Sequence, residues 1–235
     1  MAKVVTRRNK RKPQRSVNWL MIGGILIVGV IALFALLFTT LQGPGEPTPT
    51  TAAVTTLTDY CAANEENCLE KGSPDAPVTI VEISDYACSH CRNFNLEGTA
   101  EALDEQYVEA DQVRWIVLPY SSNDMTRPAA EASFCAAEQG LFFEYHREMF
   151  ELFGTEGAYS RDGIMSAASA AGVDLGAFEQ CVEANEHADT LQRNLVTAVN
   201  AGVRATPTFF INGRIVEGNL PLPSFQQQIE QALES

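Results

Sequence analysis

Residues 19–38 read WLMIGGILIVGVIALFALLF, 20 positions without one charged or strongly polar side chain. At helical rise this run matches the hydrocarbon core of a bilayer, roughly 30 Å, where a helix satisfies every backbone group internally. It predicts one N-terminal transmembrane helix, an anchor over residues 17–41. A cleaved signal peptide would have an apolar core of about 7–15 residues and an A-x-A-like site, and the following FTTLQGPG offers no such site. Residues 1–16 carry seven of the chain's 16 Lys and Arg and none of its 30 Asp and Glu. A cationic flank stays in the cytoplasm, so everything from about residue 42 onward is expected outside: a single-pass protein of the cell membrane with an extracytoplasmic domain.

Residues 42–56, QGPGEPTPTTAAVTT, have almost nothing to bury and read as an extended Pro/Thr-rich linker. Residues 57–75 read as a cysteine-containing extension, and residues 76–235 are long enough for one domain with its own core. From residue 42 onward, 9 Lys and Arg stand against 30 Asp and Glu, a formal charge of −21. That argues against nucleic acid and anionic lipid as partners of the outer part, and its plain effect is solubility.

Within the domain, PVTIVEIS (77–84) is a short β-branched run bounded by turn residues and predicts a buried strand. A helix over 89–108 and a second strand over 112–120 complete a β-α-β unit. Residues 128–153, 161–172 and 174–202 are rich in Ala, Leu and Glu, with glycines 140, 154, 172 and 176 as breaks, and predict helices. PTFFINGRIVEG, two β-type runs around Asn212-Gly213, predicts a hairpin, and a last helix begins near Pro223. The class is α/β.

Cys88-Ser-His-Cys91 follows the first strand. A zinc site needs a second pair at comparable spacing, whereas the other cysteines stand singly at 61, 68, 135 and 181. A purely structural bond closing so small a loop removes little chain entropy. A redox pair fits better. With the helix beginning at Cys88, its thiolate faces free N–H groups and the positive dipole end, and His90 and Arg92 add cationic character; all three are expected to lower its pKa. Cys88 is then the attacked sulfur and Cys91, inside the first turn, the resolving one. Stabilising the reduced thiolate makes the disulfide more oxidising.

GSPDAPVTIVEISDYACSHCRNFN and VRATPTFFINGRIVEG resemble the two signature regions of DsbA-like thiol-disulfide oxidoreductases. The resemblance covers residues 76–235. It implies a thioredoxin-like fold with an inserted α-helical domain at about 121–200, here preceded by the transmembrane helix. It makes Cys88 the nucleophile, Cys91 the resolving cysteine and Pro207 a cis-proline against the active-site disulfide. Thr206 then presents its backbone to a substrate cysteine, and Glu82 is the family's buried acid near Cys91, its pKa raised by desolvation for proton transfer. Serine at 89 departs from the proline of many relatives, so the family's redox potential does not carry over. His146 and His187 read as structural, lone helical histidines without an evident partner.

The four other cysteines allow three pairings. Cys135 with Cys181 closes a 46-residue loop, worth about 4 kcal/mol on the chain-entropy model, and Cys61 with Cys68 about 2.5 kcal/mol; these two are favoured. A second redox pair at Cys61 and Cys68 is disfavoured, because Glu65, Glu66 and Glu70 would raise both thiols. The expected activity is disulfide donation to reduced secreted or membrane proteins, with no metal and no cofactor beyond the redox-active disulfide. The resemblance implies reoxidation by a quinone-linked membrane partner of the DsbB or vitamin K epoxide reductase type. The alternatives are a monomeric reductase and a non-catalytic binding or chaperone module.

Overall fold

The computed structural model describes residues 57–235; the basic segment, the apolar run read as an anchor and the linker lie outside the described residues. Among the described residues no helix is long and apolar enough to cross a membrane. The chain begins with α1 (Leu57–Ala63), a short edge strand β1 (Leu69–Lys71) and the strand β2 (Val78–Ser84). Then follow α2 (Ser89–Leu96), α3 (Thr99–Leu103), a π-turn at Asp104–Val108 and β3 (Val113–Pro119). Five helices come next: α4 (Arg127–Ala137), α5 (Phe142–Glu151), α6 (Arg161–Ala171), α7 (Leu175–Ala184) and α8 (Ala188–Asn200). The hairpin β4 (Thr208–Ile211) and β5 (Arg214–Glu217) and the helix α9 (Leu222–Leu233) close the fold.

Strand order is β1-β3-β2-β4-β5, with β2 and β3 parallel and every other pair antiparallel. Strand alternation divides the apolar residues between two layers. Val81, Ile83, Ile116, Leu118 and Phe210 face α1 and the C-terminal half of α8. Val78, Ile80, Trp115, Val117 and Phe209 face α2, α3 and α9. On that second face Phe94 of α2 is fully buried, with ring centroids 5.7 Å from Trp115, 4.6 Å from Phe209 and 5.4 Å from Phe225. Burying such a ring is worth about 1.5–3 kcal/mol, with a further ~1 kcal/mol from tilted ring pairs, so Phe94 pins α2 to the sheet. A third core, built on Phe134, Tyr145, Met149, Phe150 and Phe178, fills the helices inserted between β3 and β4 and also takes in Tyr86 and Cys91.

Three details depart from the sequence reading. Residues 57–75 are part of the domain, because Leu57, Tyr60 and Cys61 present one buried helical face to the sheet and β1 pairs with β3. Residues 89–108 are three pieces instead of one helix, broken where Gly98 takes φ 89°. The insert is not a separate bundle at its end: α8 gives Leu191 to the helical core and Ala198 to the sheet layer. Cys61 is bonded to Cys68 and Cys135 to Cys181.

A buried polar node joins the N-terminal extension to α8. Asn194 donates to Asn67 O (2.9 Å) and Pro119 O (3.1 Å) and accepts from the Tyr60 hydroxyl (2.9 Å). Asn194→Ala leaves these groups unpaired in the interior, each costing about 1–3 kcal/mol. The expected loss is on the order of 3 kcal/mol by urea unfolding; a loss near zero would mean that the node is dispensable.

Candidate active site

Cys88 is the N-cap of α2, in extended backbone (φ −93°, ψ 116°), and Cys91 lies one turn in. The cap is held by its own loop, for Cys88 N donates to Asp85 O at 2.9 Å. Asp85 is 2% exposed. One of its oxygens accepts from Ala87 N (3.0 Å) and the Thr126 hydroxyl (2.9 Å), the other from Ser122 N (2.9 Å) and the Ser122 hydroxyl (2.8 Å). This carboxylate ties the loop before Cys88 to the start of the helical insert. Sequence reasoning missed it; the available signal was an Asp two residues before a backbone N–H in a turn-forming position.

Both sulfurs are free thiols in this structure, Cys88 half-buried and Cys91 fully buried. The Cys91 thiol, donating to Cys88, is the largest influence holding Cys88 down to about 5 against an opposing desolvation. The Thr206 hydroxyl and the N–H groups of Cys91 and His90 act in the same direction, the amides facing the sulfur without closing a capping hydrogen bond. The Cys88 thiol also donates to Thr206 O at 3.1 Å. That carbonyl favours the neutral thiol, but the hydroxyl of the same residue and the amides outweigh it. The reason for the low pKa is therefore partly other than expected: the helix N-terminus contributes, whereas the charges of His90 and Arg92 are not among the causes. His90 is exposed, and the Arg92 guanidinium turns to Asn93 (3.3 Å) and Glu97 (3.7 Å). Burial pushes Cys91 far up, and its contact with Cys88 adds to this.

Thr206-Pro207 is a cis peptide, with Pro207 buried. Glu82 is 1% exposed on β2, and burial raises its pKa. It accepts from Trp115 Nε1 (3.1 Å) and from Asn95 Nδ2 (3.2 Å), which also donates to Cys91 O (3.0 Å). Its link to the resolving cysteine thus passes through intermediate groups. The two histidines left without partners have them. His146 Nδ1 shares a hydrogen bond with the Tyr86 hydroxyl (3.0 Å), and His187 stacks on Phe134 and meets Glu138 at 2.9 Å. His187 also neighbours Cys135 and Cys181, whose sulfurs are committed to each other.

A cleft of about 510 Å³ opens beside the Cys88 loop, lined by Ala87, Met125, Phe153 and Tyr159 among others. Met125 is 60% exposed there. The Tyr159 hydroxyl donates to Tyr86 O at 2.6 Å, fixing the cleft wall to the active-site loop. The insert therefore supplies an apolar surface next to the loop that carries the half-buried Cys88.

The family model described as Thioredoxin matches residues 64–231. Among curated proteins the chain is similar to the Na(+)/H(+) antiporter NhaA of Herminiimonas arsenicoxydans, 30% identical over 149 residues, 63% of this chain and 23% of that protein. The chain spans about a quarter of the length of the antiporters it matches. It is also similar to Disulfide bond formation protein D of Bacillus subtilis, 21% identical over 168 residues, covering 69% of this chain and 75% of that one. Among solved structures, DsbA of Chlamydia trachomatis superposes with a TM-score of 0.63 at 19% identity, covering 69% of this chain and 89% of that one.

The thiol asymmetry has a direct readout. With Cys88 titrating near about 5, its alkylation by iodoacetamide should already be on its plateau at neutral pH, and should fall only as pH drops through that value, while Cys91 stays unmodified. A rate still climbing above pH 8, as for an ordinary thiol of pKa about 8.5, would contradict the geometry.

Proposed function

Given that the chain belongs to the thioredoxin family, with a helical insert in the DsbA-like place, we propose that it is a thiol-disulfide oxidoreductase donating disulfides to reduced secreted or membrane proteins outside the cell. The observation that carries this reading is the opposite treatment of two sulfurs one helical turn apart: Cys88 held down to about 5, Cys91 buried and held up. A depressed folded-state pKa is stability present above the unfolded value and lost as pH falls through about 5. At neutral pH it belongs to the reduced form alone, so it drives the disulfide to be given away.

In the exchange a client thiolate attacks Cys88 Sγ, the Cys88–Cys91 bond breaks, and its electron pair leaves on Cys91. A second client thiolate then attacks the client sulfur of the mixed disulfide and expels Cys88 as its stable thiolate. Two electrons have moved from client to enzyme. Thr206, whose carbonyl lies 3.1 Å from Cys88 Sγ, offers its backbone to the client, and the cleft at Met125 and Tyr159 receives client residues beside the cysteine. The name of the Bacillus subtilis relative supports the oxidising direction. In this reading the apolar run at 19–38 anchors the enzyme in the cell membrane beside a quinone-linked partner that returns the electrons to a membrane pool.

Cys91→Ala in the full-length chain, given a single-cysteine peptide activated as its thionitrobenzoate disulfide, should trap the peptide on Cys88 as thionitrobenzoate leaves, the mixed disulfide persisting without Cys91 to resolve it, and Cys88→Ala should lose all transfer. Retained function in Cys88→Ala would favour a binding module on the same fold.

A further inference from the structure

Two buried side-chain atoms close to the cysteines have no hydrogen-bond partner, Ser84 Oγ and His146 Nε2. Both residues line one internal cavity of about 10 Å³, together with Tyr86, Tyr120 and Ser133. A polar space of this order accommodates one water when at least two polar groups receive it. His146 Nδ1 is taken by Tyr86, leaving Nε2 as the ring nitrogen available to bond such a water. Burial holds this imidazole neutral, down to about 3.

Ser84 also stands between the two groups that must trade a proton. Glu82 and Ser84 lie two apart on β2 and share a face of the strand. In the reduced structure the Ser84 hydroxyl closes a hydrogen bond to neither Glu82 nor Cys91, yet it lies near enough to favour the ionised form of each, and it is the one side chain that acts on both. The two Glu82 oxygens are occupied by Asn95 and Trp115, and the charge bearing on the carboxyl is Lys71 of β1.

We propose that Ser84 is the proton relay of the exchange, its hydroxyl oriented by one internal water held between Oγ and His146 Nε2. The inference rests on the thiol-exchange reading above. As the client thiolate bonds to Cys88 Sγ, the electron pair of the breaking bond remains on Cys91 Sγ. Ser84 O–H gives its proton to that sulfur, and Oγ takes the carboxyl proton of Glu82. The products are the Cys91 thiol, the restored Ser84 hydroxyl and the Glu82 carboxylate. Asn95, bonded to Glu82, lines a cleft of about 220 Å³ with Lys71 and Asp104, where bulk water returns the proton. When the disulfide reforms, the same path runs backward. His146 is a positioning residue acting through the water.

The test is single-turnover oxidation of a dithiol peptide by the oxidised full-length chain in detergent, comparing wild type, Ser84→Ala and Ser84→Thr. Ser84→Ala should be slower by roughly 100-fold, the low end for a positioned proton donor. The wild-type advantage should shrink as pH rises through the raised Glu82 pKa, because an ionised carboxyl has no proton to pass. Ser84→Thr, which keeps the hydroxyl, should stay near wild type. Equal rates and profiles for wild type and Ser84→Ala overturn the relay, as does Ser84→Thr falling as far as Ser84→Ala. If Ser84→Ala does not fold, a high-resolution crystal structure of the wild type decides: a water bonded to Ser84 Oγ and His146 Nε2 supports the relay and an empty cavity overturns it. Wild type transferring no faster than Cys88→Ala means that the thiol-exchange reading itself has failed.

Discussion

An anionic sulfur is stable where amides and hydroxyls face it and costly where apolar side chains do, and α2 places its two cysteines on opposite sides of that divide. The first turn is enough to carry Cys88 at the solvent edge and Cys91 into the core shared with the helical insert. Coupling strengthens the difference, because the thiol that cannot ionise donates to the one that can. Every feature of the proposed chemistry depends on that orientation of one helix.

Two constraints on opposite ends of α2 maintain it. Phe94, wedged among Trp115, Phe209 and Phe225, fixes the helix to the sheet. Asp85, with four donors on its two oxygens, fixes the loop that delivers Cys88. The two belong to different layers, so the site is sensitive both to the sheet and to the insert. The Asp85 donors Ser122 and Thr126 sit where the insert departs from β3, and Tyr159 reaches back from its far side. The loops of the insert that line the cleft are thereby also among the segments that hold the Cys88 loop.

Much of this was legible in the sequence. PVTIVEIS and QVRWIVLPY announced the central strands by composition, and the Asn212-Gly213 turn announced the hairpin. The position of Cys88 at a strand-to-helix junction pointed to the site, and the family resemblance pointed to Pro207 and Glu82. What escaped were relations that only tertiary pairing creates. β1 is three residues long and is a strand because β3 accepts it. Leu57 to Cys61 carries too few apolar positions to declare a buried face. His90 and Arg92 seemed the obvious sources of positive potential by spacing, yet the fold turns Arg92 toward Glu97 and leaves the work to the Cys91 thiol first, then to Thr206 and the amides. Ser84 looked like an ordinary strand end, because nothing local reveals that a hydroxyl shares a cavity with a histidine 62 residues later.

The central claim, that stabilising the Cys88 thiolate makes this enzyme a disulfide donor, is tested most directly by the reduction potential of the Cys88 and Cys91 pair, measured in glutathione buffers on the full-length chain with Cys61 and Cys68 replaced in a control. The account predicts a value toward about −120 mV, the range of a strong oxidant whose reduced form is stabilised. A value near about −270 mV, like thioredoxin, would contradict it and leave a reductase on the same fold.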